Sequence, residues 1–167
     1  MAGAFAAAPS REYQIKAVFL YNFTQFVDWP PTAFAEDGSP LIIGVLGEDP
    51  FGEVLDETVR GESIDHRPLV VRRFRQVEDI DQCHVLYIAQ SESSRLAAIL
   101  RQLAHRSILT VSDVPGFARS GGMIRFITAD NRVRLRIDQV AARAAGLTIS
   151  SKLLRPAEIV TPTEVRP

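Results

Sequence analysis

The side chains best equipped for chemistry in this 167-residue chain are few and scattered. His66, His84 and His105 show no metal-ligand spacing. His84 opens an apolar run, and His105 falls at the end of an expected helix, where positive charge is favoured. The single cysteine, Cys83, allows neither an internal disulfide nor a thiolate-rich metal site. It precedes His84-Val85-Leu86-Tyr87-Ile88 and reads as a small buried hydrophobe. A Ser–His–Asp set can be written on paper from Ser112, Asp113 and a histidine, but almost any chain of this size permits that. No G-x-S-x-G elbow, H-E-x-x-H pair, Walker loop or G-x-G-x-x-G fingerprint is present. The nearest glycine-rich loop, Gly44 to Gly52, follows a strand and precedes a helix, where free amides hold anions. Glu48 and Asp49 place two negative charges at its mouth and would repel a phosphate. No catalytic residue, metal site or cofactor is indicated, so the chain reads as one that acts by binding.

Two patterns suit binding. Ligands of open α/β sheets favour the carboxyl ends of the strands. Those ends carry Glu48 and Asp49, then Gln90-Ser91-Glu92, then Ser112 to Phe117. Glu48, Asp49, Asp113 and Phe117 would suit a small polar ligand with a cationic group, although ordinary caps and turns use the same residue types. The second pattern is Arg132, Arg134 and Arg136 alternating with Val133, Leu135 and Ile137. Period two puts the arginines on one face of a strand, and Arg125 on the partner strand can join them. Like charges in a row repel unless solvent or an acidic partner satisfies them. The bland account is a solvated edge that resists aggregation; the sharper one is a docking surface for an acidic protein. RNA is disfavoured because no stacking aromatics are interleaved.

The elements that would position these residues follow from periodicity. Glu12 to Trp29 reads as a helix, with Ile15, Phe19, Phe23, Phe26 and Val27 on its inner side and Val18 and Tyr21 on its outer side. Pro30 and Pro31 end it. Leu41 to Leu46 is an unbroken apolar strand of the kind covered on both faces. Asp49 and Pro50 are placed to cap and begin a helix that Gly61 closes. Strands follow at Pro68–Phe74, His84–Ala89 and Ile108–Ser112, with a helix from Ser91 to about Arg106 between the last two. Met123–Thr128 and Arg132–Ile137 read as a hairpin turning at Asp130-Asn131. A short helix, Gln139 to Ala145, stops at Gly146, and Ser150–Val160 forms a last helical turn or an edge strand. Strand–helix–strand repetition predicts α/β architecture: a three-layer sandwich whose mixed, mainly parallel sheet is flanked by helices and carries a C-terminal antiparallel hairpin.

Composition agrees with a globular chain. Apolar residues at 46% and charged residues at 23% argue against disorder, and a net charge of −1 provides no attraction to nucleic acid. No run approaches the roughly 20 apolar residues that direct membrane insertion requires. The expected organisation is an arm over residues 1–11, one α/β domain over 12–160 and a loose tail over 161–167. The small-residue-rich arm reads either as flexible or as the remnant of a trimmed export signal.

Certain segments resemble a known family. Tyr13 to Pro30 resembles the opening helix of YfiR-like proteins, with the pattern K-A-x-F-L-Y-N-F-x-x-F-x-x-W-P. Ile43–Gly52, Cys83–Ile88, Ile108–Asp113 with Gly116-Phe117, Gly121–Ile124 and Ser150–Leu154 extend the likeness in order from Tyr13 to Val160. The resemblance implies a periplasmic, non-enzymatic, homodimeric regulator. Such a protein restrains a diguanylate cyclase by binding that enzyme's periplasmic domain at the inner membrane, with release by an outer-membrane lipoprotein or a redox change. With only Cys83 here, an intramolecular redox switch does not carry over. The surfaces expected to meet the partner are the aromatic first helix, through Tyr21, and the arginine hairpin, through Arg125, Arg132, Arg134 and Arg136. The rival expectation is a stand-alone small-molecule binding protein that uses the strand-end loops.

Overall fold

The computed structural model describes residues 10–155 and 158–160. In chain order the elements are α1 (Arg11–Phe26), β1 (Val27–Asp28), β2 (Leu41–Leu46), α2 (Glu53–Val59), β3 (Ser63–Ile64), β4 (Arg67–Phe74), β5 (Val85–Ile88), α3 (Leu96–Leu103), β6 (Leu109–Ser112), β7 (Ile124–Ala129), β8 (Arg132–Asp138), α4 (Gln139–Ala144), β9 (Thr148–Ile149), α5 (Ser151–Leu154) and β10 (Glu158–Val160). Among the described residues, eight strands form one sheet in the order β10-β8-β7-β6-β5-β2-β4-β3. Pairing is parallel from β4 through β2, β5 and β6 to β7, and antiparallel in the β7–β8 hairpin and at β3–β4. This is the expected mixed, mainly parallel α/β sandwich.

The central strands are buried on both faces, which explains their unbroken apolar sequence. Leu41, Ile43, Val45, Val85, Tyr87, Leu109 and Val111 pack towards α1, α2, α4 and α5. Ile42, Leu46, Leu86 and Ile88 face α3 on the other side. Gly44 is required by close packing: a Cβ there would come within 2.8 Å of Cys83 Sγ and of the Phe74 ring. The turn between β7 and β8 places Asp130 at φ 53° and Asn131 at φ 61°, the left-handed pair that a two-residue hairpin needs.

Four local expectations are corrected. The buried stripe of α1 is Lys16, Ala17, Leu20, Phe23 and Thr24, while Ile15, Phe19 and Phe26 are only half-buried. The helix is covered by the sheet on one side and flanked by α2, β8 and α5, so several apolar residues share partial burial. Asp49 does not cap α2. Its Oδ1 accepts from the Phe51 amide at 2.8 Å in a tight turn, and the helix begins only after Gly52. The segment after β5 opens as a 3₁₀ turn, Gln90–Arg95, before α3, because Ser91 and Glu92 are engaged with the neighbouring loop. Finally, the hairpin is not the sheet edge: β10 pairs in parallel with residues 136–138 of β8. Ser150–Val160 thus supplies both a helical turn and a strand. The expected arm and tail lie largely outside the described residues, although Ser10 and Arg11 already belong to the cap and first turn of α1.

The end of α1 is held by a separate two-stranded pairing of β1 with β9. The Ser150 amide donates to the Phe26 carbonyl at 2.8 Å, joining the same two segments. These contacts fix the helix across the sheet and set its first turns over the carboxyl ends of β5 and β6.

Candidate functional site

Asp113 immediately follows β6, and α1 passes over it. Its Oδ2 accepts from the Tyr13 hydroxyl at 2.5 Å and from Lys16 Nζ at 2.9 Å. Lys16 also donates to Glu12 one turn earlier and lies 4.4 Å from the centroid of the Tyr13 ring. The ammonium is 1% exposed and the Asp113 side chain 7%, so this is a buried ion pair. Burial alone would raise the Asp113 pKa. The hydrogen bonds from Tyr13 and Lys16 outweigh it and hold the carboxyl below its usual value. Burial, and then the bond to Asp113, pushes the Tyr13 hydroxyl well above its usual value. Burial raises Tyr87 beside them in the same direction. Near neutral pH the carboxylate is therefore ionised and both phenols keep their protons. Efficient general acid–base catalysis wants a pKa near the working pH, so these three groups are unsuited to it. Their geometry instead fastens α1 to the sheet.

The crevice between the ends of β2 and β5 is sealed. The Glu48 amide donates to Ser91 Oγ at 2.9 Å, and Ser91 donates to Glu92, which pairs with Arg95 at 2.6 Å. Gly47, at φ 96°, lies so close that a Cβ would fall 2.5 Å from Ser91 Oγ. Asp49 Oδ2 pairs with Arg73 at 2.8 Å, and Arg73 also reaches Asp56 at 2.7 Å. Phe117 is fully buried in the core on the α3 side, where its ring fills the space beside Gly122. Of the residues expected to hold a cationic ligand, Glu48 is exposed and engaged only through its amide, Asp49 pairs with Arg73, Asp113 faces α1 and Phe117 is core. The structure does not gather them around a common space.

The arginines are arranged differently. Arg132 and Arg134 are exposed, while Arg136 and Arg125 are half-buried and directly opposite each other across the hairpin. The inward partners, Ile124, Phe126, Leu135 and Ile137, belong to the α1-side core. Tyr21 lies on the other flank of α1. Its hydroxyl donates to Glu62 at 3.0 Å and accepts from Gln25 at 2.8 Å, whereas Phe19 of the same helix meets Phe126 of β7. Tyr21 and the hairpin arginines therefore do not form one patch.

His84 and Cys83 are structural. His84 Nδ1 accepts from the Ile42 amide at 3.0 Å, which places the proton on Nε2, 2.9 Å from the Ala33 carbonyl. The ring stacks on Phe34, whose other neighbour is the Arg67 guanidinium at 3.6 Å from its centroid. Burial pushes the Cys83 thiol up to about 12, so it stays protonated and unreactive. Among the described residues, no three His, Cys, Asp or Glu side chains are grouped to hold a metal ion, and no helix is long and apolar enough to cross a membrane.

A family match described as YfiR/HmsC-like covers residues 13–158. The chain belongs to that family. The match to the YfiR/HmsC-like family starts at Tyr13, the first residue of α1 to touch Asp113, and ends in β10, so it takes in both the fastening of the helix and the arginine hairpin. Membership implies a regulator of a diguanylate cyclase, within a regulatory, non-catalytic family. A search of curated proteins finds no match to the chain.

Sequence reasoning overlooked Lys16 and Tyr13. A signal was present: a lysine among Ala17, Leu20 and Phe23 on an aromatic helix needs a buried counter-charge, since charged residues are almost never fully buried unpaired. Which carboxylate answers it depends on a residue 97 positions away.

Proposed function

We propose that this YfiR/HmsC-like chain is a periplasmic, non-enzymatic regulator that binds the periplasmic domain of an inner-membrane diguanylate cyclase and restrains it. Envelope signals then reach cyclic-di-GMP synthesis by changing how much cyclase is held. The observation that carries this reading is the family match across residues 13–158. The arginine face of the hairpin supports it physically. Arg132 and Arg134 project from β8 without an ion pair to any described residue, on a strand whose other face is anchored in the core. A rigid strand presenting exposed cations suits an acidic partner surface, where charge complementarity speeds encounter and fixes register. Tyr21 on the outer flank of α1 is the second contact in this reading, and the regulator works as a homodimer.

Release follows population-shift logic: an outer-membrane lipoprotein that competes for the same surface frees the cyclase only through its differential affinity for the two states. The test is co-purification of the chain with the isolated periplasmic domain of an inner-membrane diguanylate cyclase from the same genome. Replacing Arg132, Arg134 and Arg136 by Glu should abolish capture while leaving the circular dichroism spectrum unchanged. Undiminished capture removes the hairpin from the interface, and no capture by the unsubstituted chain removes the cyclase.

A further inference from the structure

The carboxyl end of the sheet is closed at β2 and β5 but open at β6 and β7. There a cavity of about 210 Å³ is bounded by Glu12, Lys16, Gln90, Asp113 and Arg125. Its charges are unevenly satisfied. Lys16 is held between Glu12 and Asp113, and Asp113 Oδ2 is filled by Lys16 and Tyr13. Arg125 has no such partner. It makes no ion pair or hydrogen bond to a described residue, its Nε–H is sealed from solvent without an acceptor, the guanidinium directly across the hairpin belongs to Arg136, a like charge, and Asp113 offsets it only through space. An unmet buried donor on a cation costs more than a neutral one, so this group favours an incoming acceptor. On the opposite wall, Asp113 is more than nine-tenths buried and keeps one oxygen, Oδ1, without a partner. The cavity therefore combines a guanidinium that lacks a bonded partner with Gln90 and the edge of a carboxylate whose second oxygen is sealed beside Tyr87.

We propose that this cavity is a binding site for a small carboxylate anion, with Arg125 as its anchor. The charge preference is the reverse of the one expected from the strand-end acids, because Asp113 is paired with Lys16 and Asp49 with Arg73, and an arginine is left at this cavity. Arginine takes a carboxylate through paired N–H donors, which provides orientation as well as energy. A ligand with a hydroxyl or amine next to its carboxylate also offers a donor to Gln90. The volume admits a small metabolite.

The experiment uses the chain alone, so its outcome does not depend on the cyclase. Sodium lactate and sodium succinate are titrated against sodium chloride at matched ionic strength, with inorganic phosphate as a second anion. The readouts are the melting temperature and, by NMR on arginine-labelled protein, the Arg125 Nε–H resonance. A saturable rise in melting temperature with a carboxylate, accompanied by a shift of that resonance, is expected. Arg125→Gln should lose the response at least tenfold, and Arg134→Gln, outside the cavity, should keep it. Saturation by phosphate alone, an unshifted Arg125 resonance, or equal responses in Arg125→Gln and the unsubstituted chain would overturn the assignment. The NMR readout needs no variant, so a misfolded Arg125→Gln chain leaves the test intact.

Discussion

Two regions of this molecule carry similar charged residues and use them in opposite ways. Under α1, Lys16 and Asp113 are buried, and the half-buried Tyr13 bonds to Asp113 beside them. On the hairpin, Arg132 and Arg134 are exposed and make no ion pair with a described residue. In the first region low dielectric strengthens each contact and makes each loss costly. In the second, water screens the charges, so they contribute little to folding and remain available for a partner. Residue type alone does not separate a fastening charge from a solvated one; burial does.

The largest way to break the comparison is Asp113→Ala. It leaves Lys16 buried with Glu12 as its only counter-charge, and should cost about 3 kcal/mol in urea unfolding. Asp113→Asn keeps the shape and one acceptor and should cost less. A cost near zero for Asp113→Ala would mean that the buried pair does not hold α1.

Gly47→Ala ranks next. It puts a Cβ against Ser91 and imposes a strained positive φ, and should cost about 2 kcal/mol. If the crevice between β2 and β5 were a working ligand site, this variant would change ligand response; if it is a sealed seam, only stability moves.

The pH dependence sharpens the buried side. Burial lowers the His84 pKa below its ordinary 6.5, so the unfolded chain takes this proton more readily than the folded one. Its contribution is complete above pH 6.5 and is lost as pH falls through the lower folded value. Asp113 is likewise held below 3.8, so its contribution is present above that value and is lost as pH falls further. Melting temperature should therefore decline in two stages on acidification, and His84→Gln should remove the first while lowering the whole curve.

The smallest structural effect belongs to the hairpin. Arg132→Glu with Arg134→Glu should leave the melting temperature within about 2 °C, as exposed substitutions do. The same pair should weaken capture of the cyclase domain proposed as partner. A large fall in stability would instead place these arginines among the structural charges.

Much of the fold was legible because it rests on short-range pattern. The unbroken run Leu41–Leu46 announced a strand covered on both faces, and Asp130-Asn131 announced the hairpin turn. Boundaries failed where a distant residue intervened: Ser91 was drawn into a contact with Glu48, and Asp49 into one with Arg73. The inward stripe of α1 was displaced because period alone cannot say that Lys16 will find Asp113.

By itself the amino-acid sequence determined the α/β class, the order of most elements, the alternation of arginines on β8 and that Cys83 stands alone. Those features follow from local periodicity, turn chemistry and composition. Only the tertiary structure decided which carboxylate Lys16 meets, that the β2–β5 crevice is sealed, and that Arg125 borders a polar cavity without a direct ion pair to a described residue. Each is a matter of which charges meet across long stretches of chain, and electrostatic worth depends on that proximity and burial, not on order along the backbone.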